Sequence, residues 1–174
     1  GFDCSFFWVR DRAPLLDALS IQPAYLRTAE ADAGAVIDYR DWQVPLGRRF
    51  RALKAWFVLR LDGAEAIAAM IRDHIAWATE LESWVAADDR FELMAPRSMN
   101  LVCLAVRKEP GQGGSGTTDD EATRALVEAV NRSGRAQVTP TVLDGRAAMR
   151  ICVGSHLTQQ HHVEATWALV SSLV

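Results

Sequence analysis

Between residues 64 and 87, apolar side chains recur at steps of four and three: Ile67, Ile71, Ile75, Ala78, Leu81 and Val85. That spacing returns to one side of a 3.6-residue helix and predicts a long helix with a single apolar stripe. Beyond that helix the period changes. "RFELMAP" and "NLVCLAVRK" read as short strands. A helix is predicted to begin near Asp119 or Asp120, whose carboxylates suit its N-terminus, and to end near Ser133, ahead of Gly134. "AQVTPTVLD" and "AAMRICVG" predict two more strands, a hairpin turned by Asp144-Gly145. A last helix begins after Thr158 as its cap and carries Val163, Trp167, Val170 and Leu173 on one side. The order β-β-α-β-β-α predicts a small, mostly antiparallel sheet with helices on one face, an α+β arrangement.

Upstream the pattern is looser. "FDCSFFWV" has the aromatic and β-branched content of a buried strand. Residues 11–38 have weak periodicity and read as loop with a helical turn. Within them "QPAYLRTAEADAG" is small, polar and acidic; it buries too little area to order itself, which predicts a mobile loop carrying Tyr25. From Val44 a helix is predicted, with Pro45 at its first position and Leu46, Phe50, Leu53 and Phe57 inward. The arginines of "RRFRALK" then fan outward, toward carboxylates such as Asp38 and Asp41 or toward an interface. Gly63 punctuates the helix.

Composition narrows the function classes. A chain of 174 residues, 49% hydrophobic and 24% charged, suits one domain or a large piece of a bigger protein. The net charge of −3 gives no support to binding of nucleic acid or an anionic membrane. No apolar run approaches a membrane span, and no signal peptide is visible. Cys4, Cys103 and Cys152 are far apart and form no CxxC pair, so they read as reduced thiols of a cytoplasmic protein. Adjacent His161 and His162 point to different helix faces, and His74 and His156 are isolated; no metal site is indicated. The segment "GQGGSG" matches a phosphate-binding glycine pattern by letter. Asp119 and Asp120 beside it would repel a phosphate, so it reads as a flexible surface connection. Lys54 among helical residues and Lys108 at a loop mouth do not look like activated amines. The abrupt apolar start, "GFDCSFFWV" with no initiator Met, predicts a fragment.

The run "DYRDWQVPLGRRFRALKAWFVLR" (residues 38–60) resembles the pyridoxal-phosphate-dependent group II amino-acid decarboxylases, in particular their aromatic-L-amino-acid decarboxylase branch. The resemblance extends through "FDCSFFWVRDR", "QPAYLRT", "IRDHIAWATELESWV" and "MRICVGSH" to cover nearly the whole chain. It implies part of a fold type I, α/β pyridoxal-phosphate enzyme. Residues 1–62 would end the large domain, with the catalytic loop at about 18–36, and residues 63–174 would form a connecting helix and the small C-terminal domain. The family's cofactor lysine lies in an Asn-Pro-His-Lys-Trp motif just before the "DCS" strand, so the resemblance places it upstream of Gly1. Tyr25 matches the loop tyrosine that protonates Cα once carbon dioxide has left; related aldehyde synthases have Phe there. Phe2 resembles an apolar wall of the substrate pocket, and Gly47 a small position that leaves room for a large ring, indole more than phenol. A cytoplasmic homodimer acting on a small amino-acid substrate is implied, with the loop reaching the site at the subunit interface. The rival readings are a non-catalytic folding or dimerisation module, and an aromatic aldehyde synthase of the same family.

Overall fold

The structure is a computed structural model that describes residues 5–20, 36–45, 47–108 and 118–174. It divides into two compact units, Gly1–Gly63 and Ala64–Val174.

In the first unit, helix α1 (Ala13–Leu19) opens with Pro14 in its first turn, and the Asp11 carboxylate accepts from the Ala13 N–H at 3.0 Å. A 3₁₀ turn, Tyr39–Trp42, packs against α1. Helix α2 (Arg51–Asp62) comes next and stops at Gly63, whose φ of +80° suits a residue without Cβ and whose N–H reaches the Leu59 carbonyl.

The structure corrects three expectations in this unit. Residues 5–9 form no strand, and Phe6, Phe7 and Trp8 are exposed. A strand exists only against a neighbour, and all the strands among the described residues come from positions 91–152. The second helix begins at Arg51, not at Val44. Nothing from Gln43 to Phe50 carries a short capping side chain, and Gly47 inside a helix would cost about 1 kcal/mol. Nor are Phe50, Leu53 and Phe57 inward: all three are exposed, with no apolar surface among the described residues of this unit covering them, and Leu46 lies outside the described residues.

The second unit matches its sequence closely. Helix α3 (Ala64–Ala86) buries Ala78, Leu81 and Val85, the C-terminal half of the predicted stripe. Strands β1 (Phe91–Leu93), β2 (Leu101–Val106), β3 (Thr139–Leu143) and β4 (Arg146–Cys152) form a sheet ordered β1-β2-β4-β3, antiparallel throughout. The β3–β4 hairpin turns on Asp144 and Gly145 at φ of 50° and 77°, the left-handed pair that a two-residue turn requires. Helix α4 (Asp120–Arg132) is capped by Asp119, which accepts from the Ala122 N–H at 2.9 Å.

Helix α5 (Gln160–Ser172) corrects a detail. Its cap is Gln159 rather than Thr158, because the Thr158 hydroxyl donates instead to the Gly154 carbonyl. Gln159 completes a reciprocal box: its side chain accepts from the His162 N–H, and its own N–H donates to His162 Nδ1 at 3.1 Å.

Alternate residues of the sheet (Phe91, Val102, Leu104, Met149 and Ile151) meet α3, α4 and α5 in one core. The Phe91 and Trp167 rings approach to 5.2 Å within it. Among the described residues of this unit, the opposite face carries no helix. There Arg146 on β4 reaches Glu92 on β1 at 3.2 Å, with Arg107 at 3.8 Å from the same carboxylate. Ala105 and Ala148, on that face between them, are 0% and 1% exposed. Met94, Cys103 and Leu143 pack against these two alanines.

Candidate functional site

Residues 38–45 sit between α1 and α2, and a half-buried ion cluster ties Asp38, Arg40 and Asp41 together. Arg40 pairs with Asp38 at 2.8 Å and stands 3.7 Å from Asp41, within a turn where the Tyr39 and Trp42 rings are 6.0 Å apart. The sequence offered the arginines of the following helix either carboxylates such as Asp38 and Asp41 or an interface; among the described residues these two carboxylates pair with Arg40. A guanidinium within two residues reaches its carboxylates at little entropic cost, so the local partner wins. Arg40 Nε is itself buried without a hydrogen-bond partner among the described residues.

Gly47 lies five residues on from Trp42, ahead of α2. A Cβ built there would meet nothing within 4 Å, so the packing of this chain does not itself demand glycine. Along α2 an open apolar groove of about 420 Å³ is lined by Phe50, Ala52, Leu53 and Trp56. Tyr25 and Phe2, the other two predicted site residues, lie outside the described residues, as does the "GQGGSG" segment. The structure therefore places Gly47 alone of the three, and does not bring the set together.

The titratable groups elsewhere have structural employment. His74 is buried against Trp77, ring centroids 5.5 Å apart, with Nε2 lacking a partner among the described residues. The His161 and His162 rings stand 3.9 Å apart rather than on separate faces, because His162 folds back to cap its own helix. No group of three or more His, Cys, Asp or Glu among the described residues could hold a metal ion. Burial pushes the Cys103 thiol up, an effect the neighbouring Arg150 partly offsets.

A pyridoxal-phosphate site needs a lysine amine inside a pocket with donors for the phosphate. Lys54 is exposed on α2 and Lys108 sits at the end of the β2 segment; neither lines any of the cavities found on α2, beside β3 or at the start of α5. The described residues do not fit as the set that holds this cofactor.

Comparison with known proteins supplies the context that the geometry lacks. The pyridoxal-dependent decarboxylase conserved domain matches residues 1–107. Tyrosine decarboxylase 2 of Narcissus pseudonarcissus is 42% identical over 167 residues, which is 96% of this chain and 33% of that protein. Phenylacetaldehyde synthase of Arabidopsis thaliana is 42% identical over 170 residues, 98% of this chain and 34% of that protein. The crystal structure of Oryza sativa TDC with PLP and tryptamine superposes with a TM-score of 0.82 at 42% identity, covering 95% of this chain and 34% of that one. The chain thus spans about a third of the length of the curated relatives it matches. The fold, the motif run through residues 38–60 and these likenesses agree: the chain belongs to the pyridoxal-dependent decarboxylase family.

Proposed function

We propose that this chain is the C-terminal portion of a pyridoxal-phosphate-dependent enzyme that converts an aromatic L-amino acid into its amine and carbon dioxide. The observation that carries the reading is similarity along nearly the whole chain to aromatic amino-acid decarboxylases, with a tyrosine at position 25. When bound, the cofactor supplies an electron sink for the carbon that loses carboxylate. Tyr25 delivers the proton to that substrate carbon. Phe2 walls the substrate ring, and Gly47 leaves it room. The cofactor lysine belongs to the polypeptide outside this chain.

The working enzyme is a cytoplasmic homodimer in this reading. The exposed Phe6, Phe7 and Trp8, with the bare apolar side of α2, are consistent with surfaces that other parts of such an assembly cover. Three thiols without CxxC spacing are consistent with a reducing compartment.

The second reading is an aldehyde synthase, favoured by the Arabidopsis relative being as similar as the decarboxylase. Tyr25 weighs against it, since the oxidative branch resembles this sequence with Phe at that position. Product analysis on the full-length enzyme separates the two. Amine with carbon dioxide supports decarboxylation, whereas aldehyde with ammonia and peroxide sinks it. In the same enzyme Tyr25→Phe should slow or redirect turnover and leave the cofactor's absorbance intact; unchanged amine formation removes Tyr25 from the mechanism.

A further inference from the structure

The first turn of α5 is held by an imidazole. The Gln159 N–H donates to His162 Nδ1 at 3.1 Å, and the Gln159 side chain accepts from the His162 N–H. A backbone N–H can only donate, so Nδ1 offers a lone pair and the ring is neutral, with its proton on Nε2. The third helical residue of such a box is ordinarily Glu or Gln, whose oxygen accepts at any pH near neutrality. His162 makes the same bond conditional. A second proton on the ring would aim a donor at a donor. It would also place a cation at a helix N-terminus, where the backbone dipoles disfavour one, beside a His161 ring whose centroid is 3.9 Å away.

No carboxylate among the described residues lines the space around the ring to offset these costs. His162 borders a cavity of about 120 Å³ completed by Cys152 at the end of β4, Thr158 in the loop that follows, Gln137 ahead of β3 and Thr166 on α5. The Cys152 thiol is the other titratable group there, and His156 of the same loop does not line it. Glu80 of α3 reaches this turn but is bonded to Gln160 Nε2 at 2.9 Å. Glu164, two residues on from His162, lies on the far side of the helix.

We propose that His162 is an acid-sensitive latch: its protonation breaks the bond to Gln159 and frees the first turn of α5. An imidazole takes up its proton between about pH 8 and about pH 5. The bond exists only in the folded chain and only with the ring neutral. Its contribution to stability is therefore full at the alkaline end of that window and is lost as pH falls through it. The latch does not depend on which reaction the enzyme performs.

Hydrogen–deuterium exchange of the full-length holoenzyme tests this, read on peptides spanning residues 157–164 and corrected for the intrinsic pH dependence of amide exchange. Protection there should fall about fivefold between about pH 8 and about pH 5, the loss expected for one helix cap. His162→Gln supplies an acceptor that does not titrate and should keep its protection at both values. His162→Ala should lack it at both. The first turn of α4, capped by the Asp119 carboxylate, is the internal reference and should hold throughout. Equal protection at the two pH values in the unsubstituted enzyme overturns the latch, and that comparison needs no variant to fold. A His162→Gln enzyme that opens on acidification as the unsubstituted one does also overturns it. So does an equal loss at α4, since the opening would then be general rather than due to His162.

Discussion

Replacing Arg90 by alanine removes a clamp that joins the turn before β1 to the end of α5. Arg90 Nη1 donates to the carbonyls of Ser171 at 2.9 Å and Val174 at 2.7 Å, groups that have no intrahelical donor. Its Nε and Nη2 grip both oxygens of Asp88 at 2.9 and 2.7 Å, and the guanidinium lies 5.6 Å from the Phe91 ring centroid. Fully buried, charge-assisted bonds of this number would contribute several kcal/mol. The Arg90 side chain, however, is 44% exposed, so water competes for each of them. Taking about 0.5–1 kcal/mol for the exposed ion pair and a similar amount for the charge at a helix C-terminus gives a loss of about 1–2 kcal/mol. With a urea slope of about 1–3 kcal/mol per M for a small unit, the midpoint should fall by about 0.3–2 M. Urea titration followed by tryptophan fluorescence measures this directly, since Trp77, Trp84 and Trp167 pack around the same core. Arg90→Lys should recover only part of the loss, because an ammonium cannot serve Asp88 and two carbonyls together. An unchanged midpoint for Arg90→Ala would refute the clamp.

The pair also sets an acid dependence. Hydrogen bonding from Arg90 holds the Asp88 carboxyl below its ordinary value. Its contribution is therefore present above the unfolded value, near 4, and is lost as pH falls through the folded one. Asp88→Asn should flatten the fall in stability below about pH 4, and an identical acid profile would contradict this. Ser155 occupies φ of +80°, where a side chain is strained, and it is exposed. Ser155→Gly should raise stability by about 0.5–1 kcal/mol in the same urea titration, against no gain if the turn relaxes freely.

How much of the fold was legible in the sequence depended on whether the partner lay nearby in the chain. Asp119 as a cap, the Asp144-Gly145 turn and the stripe through Leu81 and Val85 are satisfied by neighbours or by the sheet immediately after them, so local rules located them. Phe6, Trp8, Phe50 and Phe57 carry the same apolar signal, yet they stand exposed; hydrophobicity states that a side chain wants cover, not where the cover is. Thr158 is the better capping residue by type, but Gly154 took its hydroxyl and Gln159 inherited the role. With Thr158 as the cap, the third helical residue would be His161; only the shift of the cap to Gln159 puts His162 where it bonds back. At the candidate site, the open space around Gly47 does not test its pocket role, which rests on motif resemblance. The roles of Tyr25 and Phe2 rest on motif resemblance, since they lie outside the described residues.

The proposed reaction is tested most directly by incubating the full-length holoenzyme with L-tyrosine, L-tryptophan and L-phenylalanine. Amine, carbon dioxide, aldehyde and peroxide are measured together. Amine and carbon dioxide should appear in equal amounts from at least one of the three substrates, without peroxide. Aldehyde and peroxide as the main products, or no turnover of any of the three by an enzyme that has bound its cofactor, would contradict a decarboxylase.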